Sequence, residues 1–339
     1  NLVRMGEFAW SHMEPREGIY DFGWLHEAVE IMSKHGISVV LCTPTATAPA
    51  WLVRKHPEIL IEHPDGTKAY FGVRHHTCCT SSVYRTYCAG IAERLAREFS
   101  DVKNILAWQI DNELGHDSFG ECYCEECRRG FREFLRQKYG TVSRLNTAWG
   151  TQFWSQEYSD WEEIEPGGME RKLDSTRVLD SLYFRNASRR IYMEGQLAAI
   201  RKIIPGAKVT ANNISALCDR YELYSELDFS AADFYPGRSA HGLSETAYYC
   251  DLWRGAKAGT APWMLESATS PGTPENNLLR FYLWHFLARG YEKVVYFHWR
   301  SHLSGYEKSH GTFLGFSGKP RMRYKILADA VAEMKSVTR

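Results

Sequence analysis

No stretch of this sequence approaches the ~18 continuous apolar residues that a bilayer-spanning helix needs. Asn1-Leu2-Val3-Arg4-Met5-Gly6 also lacks the basic-then-apolar layout of a secretory leader, so the chain is expected to be soluble, although a leader removed before Asn1 would leave no trace. Neither sign of charge is in excess. Lys plus Arg and Asp plus Glu both total 41, so no long-range field draws nucleic acid or anionic lipid, and neither is expected as a partner. No glycine-rich phosphate loop follows any apolar run, which argues against a nucleotide-binding open sheet. Internal repeats and low-complexity tracts are missing too, and with 44% hydrophobic and 24% charged residues the composition is that of an ordinary globular chain.

Aromatic residues are plentiful: 14% of the chain, with 11 Trp and 19 Tyr. Such rings fill large cores, and they also line sugar-binding clefts, where the apolar face of a pyranose stacks on them. The length of 339 residues fits the ~200 to 400 of one elaborated α/β barrel. Of the 9 cysteines, an odd number, three crowd into Cys122, Cys124 and Cys127. That pattern favours metal-binding thiolates in a reducing, cytoplasmic setting over a disulfide framework.

Short apolar runs alternate with helical patterns to the end of the chain. Strands are expected near Leu2–Met5, Ile37–Thr43, Ile105–Ile110, Lys208–Asn212, Phe229–Phe234, Trp263–Glu266 and Lys293–Trp299. Helices are expected over Phe22–His35, with Trp24, Leu25, Ala28, Val29 and Met32 as its apolar stripe, over Ser82–Phe99, and over the tail Pro320–Arg339. Repeated units of this kind imply a parallel sheet, and the unusual residues sit where a barrel places its chemistry. Asn112-Glu113, Asn212-Asn213, Tyr235-Pro236, Glu266 and His298-Trp299-Arg300 all lie at or just past C-terminal strand ends. The fold expected is a (β/α)8 TIM barrel whose first strand lies upstream of Asn1, since only seven strands are counted. Residues 1–339 read as one catalytic domain, with an irregular insertion over the rim at 139–174 and a metal loop at 120–128.

Two glutamates end apolar strands, Glu113 after Ile105-Leu106-Ala107-Trp108-Gln109-Ile110-Asp111-Asn112 and Glu266 after Trp263-Met264-Leu265. A carboxylate there is costly unless solvated or paired. Each alone could be a rim salt bridge; together, three strands apart on one rim, they form a candidate pair for glycoside hydrolysis, which needs one protonated and one ionised carboxyl. Asp111, by strand alternation, points away from Asn112 and supports the barrel wall.

The strings Val3-Arg4-Met5-Gly6-Glu7-Phe8-Ala9-Trp10-Ser11, Trp108-Gln109-Ile110-Asp111-Asn112-Glu113 and Glu307-Lys308-Ser309-His310-Gly311 resemble those of the β-galactosidases of glycoside hydrolase family 42, over nearly the whole chain. The resemblance implies a retaining β-galactosidase acting on β-galactoside oligosaccharides without an organic cofactor. It makes Glu113 the acid/base and Glu266 the nucleophile, has Asn112 bind the sugar 2-hydroxyl, and has Arg4 and Arg74 hold the nucleophile ionised. Tyr235 would donate to Glu266, Trp299 would face the sugar ring, and Glu307 and His310 would read the hydroxyls that distinguish galactose. It also implies a structural Zn²⁺ on Cys122, Cys124, Cys127 and Cys78, with adjacent Cys79 open as the fourth ligand, and a homo-oligomer, a trimer. Cys42, Cys88, Cys218 and Cys250 remain as small core residues. The competing readings are a related β-glycosidase (α-L-arabinopyranosidase, β-D-fucosidase or β-glucosidase), a non-catalytic sugar-binding barrel, and a zinc-dependent hydrolase or dehydrogenase.

Overall fold

The computed structural model describes residues 1–115, 120–167, 174–212, 214–215, 217–236, 242–269, 278–308 and 310–337. Its seven strands fall in the expected places: β1 (Leu2–Met5), β2 (Ser38–Cys42), β3 (Ile105–Gln109), β4 (Val209–Thr210), β5 (Ala231–Phe234), β6 (Trp263–Ser267) and β7 (Lys293–Val294). All ladders are parallel and join sequence neighbours, β1 to β4 in one run and β5 to β7 in another. A bridge between Asn212 and Ala231 connects the two runs. Among the described residues no ladder joins β7 to β1.

Strand alternation explains how this sheet curls. One set of residues, Val40, Cys42, Ala107, Phe229, Ala231, Trp263 and Leu265, packs into a single cluster with Leu2 and Val295. Members of β2, β3, β5 and β6 therefore meet with the flanking residues of β1 and β7 inside the sheet, as they must in a barrel. The residues between them, such as Val39, Leu41, Trp108, Val209, Ala232 and Met264, face outward into the larger core under the helices.

The helices are placed by the same logic. Over Ser82–Glu98 the side chain of Ser81 caps the N-terminus by accepting from the Tyr84 amide, and Tyr84, Cys88, Ile91 and Leu95 form the buried stripe. Each aliphatic residue so buried contributes roughly 1.5–3 kcal/mol relative to exposure. In the helix Gly23–Lys34 the stripe is narrower than expected, because Trp24 lies on the exposed side while Leu25 and Val29 are buried. The 29-residue helix Ser175–Ile203 is the spine of the fold, and its inward face carries Asp180, Asn186, Arg189 and Gln196.

The segment 139–174 carries a short helix and packs into a small core. Helix Val142–Trp149 begins at Thr141, whose hydroxyl accepts from the Arg144 amide, and stops at left-handed Gly150. Leu145, Trp149 and Ile164 then pack with Phe131, Leu135 and Phe184 into a small core shared with the helices Glu125–Tyr139 and Ser175–Ile203. Residues 168–173 lie outside the described part.

Candidate active site

The inward positions that are apolar low in the barrel become polar at its C-terminal end. Two residues after Leu2 comes Arg4, two after Ala107 comes Gln109, and two after Ala231 comes Asp233. In β6 an extra residue, Leu265, interrupts the pairing, so that Asp233 stands opposite Glu266. This bulge turns the Glu266 carboxylate toward the barrel axis.

Glu266 is buried and surrounded by donors. Arg4 ion-pairs with it, the Tyr235 hydroxyl donates to its other oxygen, and the Asn212 side-chain amide lies at 3.4 Å. Burial pushes the Glu266 carboxyl above its usual range, the Arg4 charge pulls it down, Glu113 pushes it up, and the Tyr235 bond again favours ionisation. Arg4 is itself held by Glu7 at 2.9 Å and by Gln109 at 3.3 Å.

Glu113 reaches the same space from the other side. Asp111 and Glu113 both have left-handed backbone, φ 57° and 50°, an uncommon state for residues with a Cβ. The turn is fixed from both ends. The Glu113 amide donates to Asn212 Oδ1 at 2.8 Å, and the buried Asp111 carboxylate accepts from Thr45 at 3.0 Å, from the Asn112 amide at 2.7 Å and from Tyr192. His75, itself at φ 54°, lies 3.3 Å from the same carboxylate. Burial alone would push Asp111 upward, but His75, Tyr192 and the Asn112 amide together hold it below the usual carboxylate range. Asp111 thus supports the wall, as its alternation implies.

One oxygen each of Glu113, Asp233 and Glu266 lie within 4.8 Å of one another. Asn212 is the hub between them: its amide nitrogen donates to Asn112 at 3.0 Å, to Asp233 and toward Glu266, while its oxygen accepts from the Glu113 amide and from Gln109 at 3.1 Å. Gln109, Asp233 and the bonding role of Asn212 escape sequence reasoning. Period-two alternation marks their inward face, but not their partners on other strands.

Arg74 differs from the sequence expectation. Its guanidinium pairs with Glu113, 2.7 Å from Oε2, and not with Glu266, because the loop that carries it lies beside the 111–113 turn. The remaining expected residues lie farther out. His310 packs its ring 5.5 Å from Tyr235 and 4.8 Å from Phe297, and so borders the site. Trp299 is 56% exposed, flanked by Phe313 and Tyr324. Glu307 is exposed, and its carbonyl accepts the His310 amide at 3.0 Å across a turn. Asn213 and Ser309 fall outside the described residues.

The cysteine group assembles some distance along the rim. The sulfurs of Cys78, Cys122, Cys124 and Cys127 lie within 4.8 Å of one another, with Cys78 3.4 Å from Cys127 and 3.8 Å from Cys124. A tetrahedral Zn²⁺ with ~2.3 Å bonds to sulfur needs edges of about 3.8 Å, so the set fits that ion. The Glu62 amide donates to Cys122 at 3.4 Å, an outer contact of the kind that steadies a thiolate ligand. Cys79 is not among these four sulfurs and packs against the main core. All nine cysteines are free of disulfides, and Cys42, Cys88, Cys218 and Cys250 are buried.

Facing carboxylates at the C-terminal rim of a parallel α/β barrel, one held by an arginine and a tyrosine, define a barrel glycoside hydrolase. The chain belongs to glycoside hydrolase family 42, whose model, described as beta-galactosidase, matches residues 1–337. It is 37% identical to β-galactosidase BgaH of Haloferax lucentense over 98% of its own length and 54% of that protein. It is 38% identical to a β-galactosidase of an Arthrobacter species over 99% of its length and 50% of the relative. The crystal structure of a β-galactosidase from the psychrophilic Marinomonas ef1 superposes with a TM-score of 0.91 at 29% identity, covering 99% of this chain and 55% of that one. The chain therefore spans about half the length of the relatives it matches, and its fold is their TIM barrel. Among the described residues no helix is long and apolar enough to cross a membrane.

Proposed function

We propose that this barrel is the catalytic unit of a retaining β-galactosidase, with Glu266 as nucleophile and Glu113 as acid/base. The observation that carries the reading is the spacing of the two carboxylates, with oxygens within 4.8 Å. So close an approach of one oxygen from each suits the ~5–5.5 Å carboxyl separation of retaining enzymes better than the ~6.5–9.5 Å that seats an attacking water in inverting ones. In the first step Glu266 attacks the anomeric carbon, the bond to the aglycone oxygen breaks, and Glu113 gives that oxygen its proton. In the second, the Glu113 carboxylate takes a proton from water, whose oxygen attacks the same carbon and releases Glu266. Arg4 and Tyr235 keep the nucleophile charged. Arg74 favours Glu113 in the ionised form it holds between the two steps.

Asn112 would bind the 2-hydroxyl and Trp299 would face the ring. Galactose as the sugar rests on the names of the relatives and on Glu307 and His310; α-L-arabinopyranosides, β-D-fucosides and β-glucosides are the competing substrates. Structural Zn²⁺ on the four cysteines belongs to the same proposal. With every coordination position taken by sulfur it leaves none for substrate, and it would brace the segment after Glu113 against the one carrying Arg74. A cytoplasmic location and a homotrimer complete the reading, the first from the free thiols, the second from the family resemblance.

The test is a screen of p-nitrophenyl glycosides with matched variants. Glu266→Gly should abolish turnover for every leaving group, and azide should restore release of an activated aglycone as the α-glycosyl azide. A β-azide product would reverse the two roles.

A further inference from the structure

Three carboxyl groups converge where the double displacement uses two. Asp233, at the C-terminal end of β5, is buried, and one of its oxygens lies within 4.8 Å of those of both Glu113 and Glu266. Its Oδ2 accepts the Asn212 side-chain amide. Its Oδ1 is buried and has no hydrogen-bond partner among the described residues. The nearby cations are engaged elsewhere, Arg4 with Glu266 and Glu7, Arg74 with Glu113. An ionised Asp233 would therefore carry an unsatisfied buried oxygen beside a second negative charge, the costliest state for such a group. A proton on Oδ1 removes the charge and makes that oxygen a donor in the gap shared with Glu266.

Burial first, and the Glu266 charge second, push the Asp233 carboxyl well above its usual range, with Arg4 opposing and Glu113 adding to the rise. The titratable groups around it are Arg4 from β1, Glu113 beyond β3, Glu266 from β6, Tyr235 beyond the end of its own strand, and Tyr224 from the helix Arg220–Ser225. Only Arg4 among them is a cation. Glu266 holds three donors against the single donor of Asp233, so the shared proton belongs on Asp233.

We propose that Asp233 is a positioning residue that stays protonated in the working enzyme, fixing Asn212, and through it Asn112 and the Glu113 main chain, while adding no charge beside Glu266. The inference rests on the roles proposed for the two glutamates, yet its decisive measurement needs no turnover. Infrared difference spectra of resting wild type against Asp233→Asn at neutral pH should contain the C=O band of a protonated carboxylic acid. A carboxylate band in its place overturns the proposal. Should that variant not fold, Asp233→Ser gives the same difference: a carboxylic-acid band lost with the Asp233 side chain supports the proposal, and a carboxylate band lost in its place overturns it.

Kinetics give an independent arm. Asp233→Asn should lower kcat/KM on a nitrophenyl galactoside several-fold by loosening Asn212, yet leave both limbs of the pH profile in place. If Asp233 is instead ionised, removing its charge eases proton loss from Glu113, and the alkaline limb moves to lower pH. A protein with the acid band but no activity on any glycoside would defeat the β-galactosidase reading and leave the protonation of Asp233 standing.

Discussion

Arg4 offers the sharpest test of how the site is charged. Its guanidinium contacts Glu266 and Glu7 with side-chain exposures of 4% for the arginine and 10% for Glu266, so water screens the pair little. Arg4→Met keeps most of the stem and removes the charge. An opposite charge in contact lowers a carboxyl by ~1–3 pKa units. Coulomb's law gives about 4 kcal/mol at 4 Å and an effective dielectric of 20, or about 3 units at 1.36 kcal/mol each, the upper end of that range. Burial already holds Glu266 above its usual range with Arg4 in place, so losing Arg4 lets it climb further. The acid limb of kcat/KM should then move up by ~1–3 pH units, and at a fixed pH below the new limb the rate should fall ~10- to 1000-fold. The stability effect has a definite sign. A carboxyl whose folded pKa lies above its unfolded value destabilises the fold as pH rises from the unfolded pKa, about 4.3, toward the folded one. Wild-type Glu266 is itself raised, so the Tm gap between Arg4→Met and wild type should open only above wild type's own folded value and widen there by ~1.4–4 kcal/mol, the same ~1–3 units at 1.36 kcal/mol each. Arg74→Met is the control. Its side chain is 39% exposed, and half-solvated pairs are worth ~0–1 kcal/mol, so its limbs should move by less than about one unit. An unmoved acid limb in Arg4→Met, or a larger displacement in Arg74→Met, would refute the assignment of Arg4 as the group that keeps Glu266 ionised.

Two further outcomes are expected. Native mass spectrometry should find one zinc per chain, and Cys124→Ser should lower the thermal midpoint far more than the kcat of molecules still folded; a metal-free native protein, or a disulfide within the four cysteines, would end that reading. Glu307→Ala should lose ~1.5–3 kcal/mol of transition-state stabilisation for a galactoside, roughly 10- to 150-fold, as is typical for a hydrogen bond to a charged group, and much less for a glucoside. Equal losses for both sugars would show that Glu307 does not read the axial 4-hydroxyl.

Much of this arrangement is legible in the sequence because barrel strands are short apolar words set between helical periods. All seven strands and the helices starting near 22 and 82 follow from that contrast, and with them the rim position of Glu113 and Glu266. The polar layer beneath is not legible in the same way. Gln109 meets Asn212 across 103 positions, and Asn212 meets Asp233 across 21, so the pattern gives each residue its face but no partner. Arg74 shows a second limit, since its neighbour is set by the path of an irregular loop and not by any period. The long helix Ser175–Ile203 hides for a third reason. Its buried face mixes Phe184, Tyr192, Met193, Leu197 and Ile200 with Asp180, Asn186 and Gln196, which pair with Lys138 and Tyr139, with Glu222 and with the threonines behind Asp111, so no purely apolar stripe announces it.

The left-handed residues at the rim bear on how this protein would respond to selection for heat tolerance. His75, Asp111 and Glu113 each hold a conformation that glycine adopts freely and that costs a residue with a Cβ ~1–2 kcal/mol. Those penalties cluster where the side chains have other work: one is the proposed acid/base and the other two brace its turn. A screen that rewards rigidity alone could relax Trp154 and Ser155, which share that backbone state in the segment beyond Gly150, but a gain at His75, Asp111 or Glu113 would come out of the active centre. The strained turn at the rim is thus a part a breeder of hardier variants must leave alone, taking improvements instead from positions such as Trp154 and Ser155 or from the outer helices.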